Sequence, residues 1–455
     1  MAHKVNLGDI QVTNEYECFK LKANPFPITA ISVGGTPFPL YAPQANERIR
    51  DYIIRTYRQG EYSGMLIIGD YGFGKTYTLR WIDKEINETF SQRNNEAACA
   101  IYVESPRSTP RELILSMVSY YGTGKYLTML WKLVTIAFRK EYEKEGNKFL
   151  DKFRPRLLGL FDRDSLLEML DEAKIMDPMR FLKHLCDMRK RNQFELEEFS
   201  RFAHKNVIAP IFGHTDFATQ LAELNEKGDF DVSYRKWFSL LEFKAASKKM
   251  YVGPSDHEFM RSILKVFKES GYRRVYLLVD EFENLYEGLE KKKMESYLES
   301  VRHWIDFNQD MLCLILAMKP AVQQAIERVH PGLPDRFPSR YWIDLGGITM
   351  EALENFVGGF LRKERKKGFE HMGIEPFTRD GLAEIYGHAG INPRLILQCC
   401  SELLYQAIKA GGKPVDSRFV KSHYATSEPS LWAGRRKIWT RKLTKERIQE
   451  ESGGG

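Results

Sequence analysis

The stretch IIGDYGFGKTYTLRW, residues 67–81, decides how the rest of the chain is read. Gly69 to Thr76 fits G-x-x-x-x-G-K-[ST], the pattern of a phosphate-cradling loop. Glycines in such a loop allow backbone conformations that turn several N–H groups inward, toward anionic oxygens. Lys75 supplies a cation for the β- and γ-phosphates, and the Thr76 hydroxyl is a ligand for Mg²⁺. The helix expected to start here aims its positive dipole end at the same anion. The flanks agree. MLII (65–68) is a short buried-strand run, and TYTLRWIDKEI has helical apolar spacing. The candidate phosphate contacts are Gly69, Asp70, Tyr71, Gly72, Phe73, Gly74, Lys75, Thr76 and Tyr77.

A site of this kind needs a carboxylate for the metal and one for the attacking water. RRVYLLVDEFENL (273–285) offers both. Val275–Val279 is a β-rich apolar run that ends in Asp280 and Glu281. In an open α/β sheet the carboxyl ends of the strands face the ligand. Asp280 is thus the candidate metal ligand beside Thr76, and Glu281 the candidate general base.

The two motifs together resemble an AAA+ ATPase, nearest to origin-recognition-type initiators, clamp loaders and related prokaryotic ATPases of transposition and defence systems. Four further segments carry the resemblance. ACAIYVESPRSTPRELILSMVSYYG (98–122) resembles the second core strand and its helix, and DMLCLILAMKPAVQQAI (310–326) the strand after the acidic pair. LPDRFPSRYWIDL (333–345) resembles the segment that places an arginine finger in a neighbour's site, and 348–404, with GINPR, resembles a helical lid. The resemblance implies an α/β, three-layer P-loop NTPase core with a parallel sheet, ATP and Mg²⁺ as ligands, and ATP hydrolysis. It implies Arg340 as the finger acting in trans, with Arg336 as runner-up, and Arg394 as the lid arginine that senses nucleotide in cis. A planar cation with several donors suits charge on transferring phosphoryl oxygens. Many relatives carry a small polar residue after the LCLILA strand. Here Met318-Lys319-Pro320 stands there, so Lys319 is the stand-in and hydrolysis is expected to be slow or partner-stimulated. The polar residue expected after AIYV is Glu104 or Ser105. Asn24, Pro25 and Phe26 are candidates for an adenine wall, or else part of a packed arm.

The chain is expected to divide into a leader at 1–62 packing on the core, a core at 63–122 and 263–347, a helical insertion at 123–262, a lid at 348–424 and a basic tail at 425–455. The insertion follows from spacing, because 205 residues separate Lys75 from Asp280. Its mixed charges read as solvated helix faces, as a platform for a protein partner, or as a DNA-contacting arm. Of the net charge of +7, most sits in GRRKIWTRKLTKER (434–447), where seven Lys/Arg face one Glu. With Trp432 and Trp439 interleaved, the tail suits phosphate neutralisation and base stacking, docking on an acidic partner, or no specific role.

Composition bounds the remainder. The chain of 455 residues is 43% hydrophobic and 28% charged, an ordinary globular balance. Six cysteines show no CxxC spacing, which fits buried thiols in a reducing compartment rather than a disulfide framework or zinc site. No apolar run is long enough for a membrane span, and the first residues carry no signal-like apolar segment. The expectation is a cytoplasmic, self-assembling ATPase whose switch acts on DNA. The alternative is an ATPase that senses or remodels a protein partner through 123–262, such as an effector of an anti-phage defence system.

Overall fold

The computed structural model describes residues 15–26, 43–60, 64–90, 98–153, 180, 196–212 and 256–426. Most of the expected insertion, the proline-rich stretch after Phe26, and the basic tail with Trp432 and Trp439 lie outside the described residues.

In chain order the core opens with helix α1 (Pro43–Arg58), strand β1 (Met65–Ile68), helix α2 (Lys75–Lys84) and strand β2 (Ala98–Val103). Helices α3 (Pro110–Tyr121), α4 (Thr123–Glu145) and α5 (Asn147–Asp151) follow, then α6 (Leu196–Ala203), α7 (Ala209–Phe212) and α8 (Asp256–Glu269). Strand β3 (Arg274–Val279), helices α9 (Glu283–Gly288) and α10 (Lys291–Phe307), strand β4 (Leu312–Met318), helix α11 (Pro320–Val329) and strand β5 (Trp342–Asp344) complete the sheet. The lid holds α12 (Met350–Glu364), α13 (Arg379–Ala389), α14 (Pro393–Lys409) and α15 (Ser417–Thr426).

The five strands are all parallel, in the order β2-β3-β4-β1-β5. Every residue of β1 to β4 is buried, so these strands read as unbroken apolar runs. Period two still sorts their faces. Val275, Leu277 and Val279 join one core with α3, α8 and α10, whereas Tyr276 and Leu278 join another with α1 and α2. The result is a three-layer α/β core around a parallel sheet. Because β1 lies between β4 and β5, the loop leaving β1 opens beside the ends of β4 and β3, the crevice where such sheets bind ligands.

Three expectations need correcting. The described residues of the leader do not pack on the core as one piece. Helix α1 does, through Ile49, Tyr52 and Ile53. Residues 15–26 pack on the lid: Phe19, Leu21 and Phe26 enter its core, Lys22 N donates to Glu364 O at 2.8 Å, and Asn24 Nδ2 donates to Ser401 Oγ at 2.8 Å. Phe26 stands edge-on to Phe377 with centroids 5.7 Å apart, so the packed-arm reading of Asn24, Pro25 and Phe26 describes them better than an adenine wall.

A boundary at 262/263 cuts α8, whose apolar stripe (Phe259, Met260, Ile263, Leu264, Phe267) belongs to the sheet's own core. The core resumes at Asp256. The described part of the insertion likewise has no separate core. Tyr126, Leu130 and Phe138 of α4 and Phe199 of α6 are continuous with the packing against the sheet. At its far end Phe138, Phe149, Phe153 and Phe199 cluster, with the Phe138 and Phe149 centroids 4.9 Å apart. Last, α15 carries the lid to Thr426, two residues past the expected end.

Among the described residues, no helix is long and apolar enough to cross a membrane.

Candidate nucleotide site

The loop from Gly69 to Gly74 is fixed at both ends. Gly69 N donates to Met318 O at 3.2 Å, which ties the loop's start to the end of β4. Gly74 caps α2 with φ 84°, and Thr78 N donates back to Gly74 O at 2.8 Å. Gly72 has φ 88°, and a Cβ there would stand 2.7 Å from Asn392 Oδ1 and 3.1 Å from the Arg394 Cβ. Gly72 thus permits both the turn and the close approach of the lid. Lys75 is buried. Its Nζ donates to Gly69 O at 2.9 Å and Asp70 O at 3.4 Å. The loop's own carbonyls therefore hold the ammonium. The cradle, the cation and the start of α2 fit a phosphate chain.

The carboxylates gather at the end of β3. Asp280 is buried, and both its oxygens are engaged: Oδ2 accepts from Tyr102 Oη at 2.9 Å and Oδ1 from Glu281 N at 2.9 Å. Burial, and then the adjacent Asp280 carboxylate, push the Tyr102 phenol well above its ordinary range, so it stays a donor. Arg80 lies over the Tyr102 ring at 3.6 Å and 3.7 Å from Glu104 Oε1, which commits Glu104 to an exposed ion pair. Glu281 is exposed with φ 47°, a conformation uncommon for a side-chain-bearing residue and frequent at functional sites. Its Oε2 accepts from Asn284 Nδ2 at 3.0 Å. Asn284 and Ser105 also line a cleft of about 670 Å³ that runs on between α3 and α9.

Glu283 was not singled out by its sequence context. It is 6% exposed, and its Oε1 lies 3.8 Å from Lys75 Nζ and 3.8 Å from Lys319 Nζ. Burial raises its carboxyl above the usual range, while Lys75 and Lys319 pull it back.

The lid reaches the loop through the start of α14. Asn392 Oδ1 caps that helix, accepting from Arg394 N at 3.0 Å, and Asn392 Nδ2 donates across to Tyr71 O at 3.0 Å. Pro393 occupies the first turn. The Arg394 guanidinium sits 4.8 Å from the exposed Tyr71 ring. The structure thus joins Lys75 of the loop and Lys319 through Glu283, and Tyr71 of the loop to Asn392 and Arg394 of the lid, while Asp280 and Glu281 stand at the end of β3. The finger candidates stand elsewhere. Arg340 is exposed on the short turn before edge strand β5, with its guanidinium 4.9 Å from the Tyr341 ring and its carbonyl accepting from Arg48. Arg336 makes a two-pronged pair with Asp306 at 2.9 and 3.0 Å and donates to Gly332 O at 3.0 Å. Those bonds tie Arg336 to its own subunit.

Among the described residues no cluster of three or more His, Cys, Asp or Glu could hold a metal ion alone. A loop hydroxyl with one carboxylate is nevertheless a sufficient protein share for Mg²⁺, which keeps waters and phosphate oxygens as its other ligands.

No family model matches the chain, and no curated protein does. Solved structures similar to it include these three. The Aeropyrum pernix ORC1 protein in complex with DNA is 12% identical, with a TM-score of 0.41 over 90% of this chain and 69% of that one. The Aeropyrum pernix ORC2 protein in its ADP form is 9% identical, with a TM-score of 0.42 over 87% and 71%. Drosophila ORC bound to DNA is 12% identical, with a TM-score of 0.39 over 95% and 72%. These likenesses carry no residue role to this chain.

Proposed function

We propose that the protein is a Mg²⁺-dependent ATPase of AAA+ type that works as a nucleotide-controlled assembly switch on DNA. The observation that carries this reading is the docking of the lid on the candidate phosphate loop, with Asn392 Nδ2 donating to Tyr71 O. A lid that touches the loop from outside gives the nucleotide a means of moving it. Lys75 and the Gly69–Thr76 backbone bind the phosphates, and Arg394 follows their state from the lid. Thr76 and Asp280 are the residues that would hold Mg²⁺, which would supply positive charge to the phosphates. Glu281 would accept the proton of the water that attacks the γ-phosphorus, as the bond from that phosphorus to the β–γ bridging oxygen breaks and ADP leaves with its electron pair. Arg340 stands exposed on the turn before edge strand β5, and a contribution of it to a neighbouring subunit's site would require a homo-oligomer. The basic tail at 434–447 is the proposed DNA contact.

The test measures ATPase rate and assembly state together, by phosphate release and mass photometry, with and without double-stranded DNA. DNA and ATP together are expected to drive assembly, Glu281→Gln to trap it, and Arg340→Ala to block it. A chain that binds ATP, stays monomeric and ignores DNA would refute the switch on DNA and move attention to a protein partner at 123–262.

A further inference from the structure

Lys75 and Lys319 come from different strand ends, one after β1 and one after β4, yet they converge on a single oxygen of Glu283. Both separations are 3.8 Å, longer than the roughly 2.7–3.2 Å of an N–H···O hydrogen bond. Neither lysine has closed onto the carboxylate. The other oxygen, Glu283 Oε2, is buried with no hydrogen-bond partner. A buried carboxylate with one oxygen bare and the other shared at long range is costly to keep for stability alone.

We propose that Glu283 is the resident counter-anion of the site: it holds Lys75 and Lys319 as a pair until the terminal phosphate of ATP displaces it, and Lys319 is the cation that the γ-phosphate then engages. Glu283 acts through the two lysines and is a positioning residue. This rests on the reading of Gly69–Thr76 as the nucleotide site and adds the means by which the site distinguishes a triphosphate from a diphosphate. In this account a diphosphate stops short of Lys319, at the end of β4, and a triphosphate reaches it. The short helix α9, which starts at Glu283, is anchored there by Phe282 N donating to Ala317 O at 3.0 Å. Displacing Glu283 therefore pulls on the segment that also carries Glu281 and Asn284, linking phosphate arrival to the general base.

The test is binding of fluorescent ATP and ADP analogues to the full chain with Mg²⁺. Glu283→Gln keeps shape and removes the competing charge, so ATP is expected to bind about tenfold tighter. Lys319→Met is expected to weaken ATP by about tenfold while leaving ADP unchanged. Unchanged or weaker ATP binding by Glu283→Gln overturns the proposal, as does Lys319→Met weakening ATP and ADP equally. Lys319 is only part-buried, so its variant keeps the test decisive if Glu283→Gln folds poorly, as thermal melting would report. Two controls separate the underlying reading. If the wild type binds neither nucleotide, or Lys75→Ala binds both as the wild type does, the nucleotide site fails and this proposal with it. If those controls hold and the Glu283 and Lys319 arms fail, only this proposal falls.

Discussion

Replacing Asn392 separates two duties of one side chain. Its Oδ1 caps α14, and its Nδ2 holds Tyr71 O of the phosphate loop at 3.0 Å. Asn392→Ala loses both. The cap contributes about 1 kcal/mol. The second bond is partly exposed and contributes about 0.5–1 kcal/mol, the lower part of the usual net range. The alanine variant should therefore loosen the start of α14 by roughly 1.5–2 kcal/mol. Asn392→Asp keeps the acceptor and adds a charge favoured at a helix N-terminus, but it cannot donate to Tyr71 O. It should keep the lid's stability while losing the link to the loop. Hydrogen exchange at the amides of Arg394 and Leu395 reads the cap, since both donate to Asn392 Oδ1. Dissociation of a fluorescent nucleotide reads the link, and about 1 kcal/mol corresponds to roughly a fivefold faster rate. The alanine variant should speed both exchange and dissociation, and the aspartate variant only dissociation. An aspartate variant that releases nucleotide as slowly as the wild type would refute the claim that this bond couples lid to loop.

Three other outcomes follow from the same structure. Arg336→Ala should lower thermal stability by about 1 kcal/mol, since its pair with Asp306 is only part-buried, while leaving hydrolysis per assembled subunit intact. Arg340→Ala should do the reverse, so melting curves and ATPase rates of the two variants test which arginine serves the neighbour. Tyr102→Phe removes a donor from buried Asp280 and should cost about 1–3 kcal/mol, together with a higher Mg²⁺ requirement in ATP titrations; an unchanged Mg²⁺ requirement would count against Asp280 as the metal ligand. Asp83 gives a pH test. Burial raises its carboxyl from the ordinary 3.8 to about 6, with Arg80 the largest opposing influence. A raised folded value means that its contribution to stability is present below 3.8 and lost as pH rises through about 6. Asp83→Asn, which cannot ionise, should melt higher than the wild type at pH 8 (~2 units above that value) and show no difference near pH 4. A melting difference independent of pH would contradict this assignment.

The strands were legible because their runs are apolar without interruption. MLII coincides with β1, and β3 differs from the expected run only by Arg274. That arginine looks like a flank in sequence. In the fold it is buried, with its guanidinium donating to Thr56 O and Gln309 O, each at 2.8 Å. The Gly69–Thr76 loop and Asp280 could be singled out as candidates for a different reason: the pattern that marks each is local, carried by neighbouring residues. What escaped is what only folding joins. Tyr102 meets Asp280 across 178 positions and Asn392 meets Tyr71 across 321, and no periodicity announces either pair. Glu283 escaped because one acid after an acidic pair looks like any solvated helix start. Its significance lies in the two lysines that face it. The N-terminal arm was placed on the wrong lobe for a related reason: the apolar spacing of Phe19, Leu21 and Phe26 says that they are buried but not against what.

The most direct measurement is a calorimetric titration of Mg-ATP into the wild type, Lys75→Ala and Asp280→Asn. The wild type is expected to bind one ATP per chain. Lys75→Ala should weaken it by about tenfold or more by removing a charged donor to phosphate, and Asp280→Asn should abolish the gain that Mg²⁺ brings. No heat of binding in the wild type, or the same affinity in Lys75→Ala, would contradict the assignment of Gly69–Thr76 as a nucleotide site.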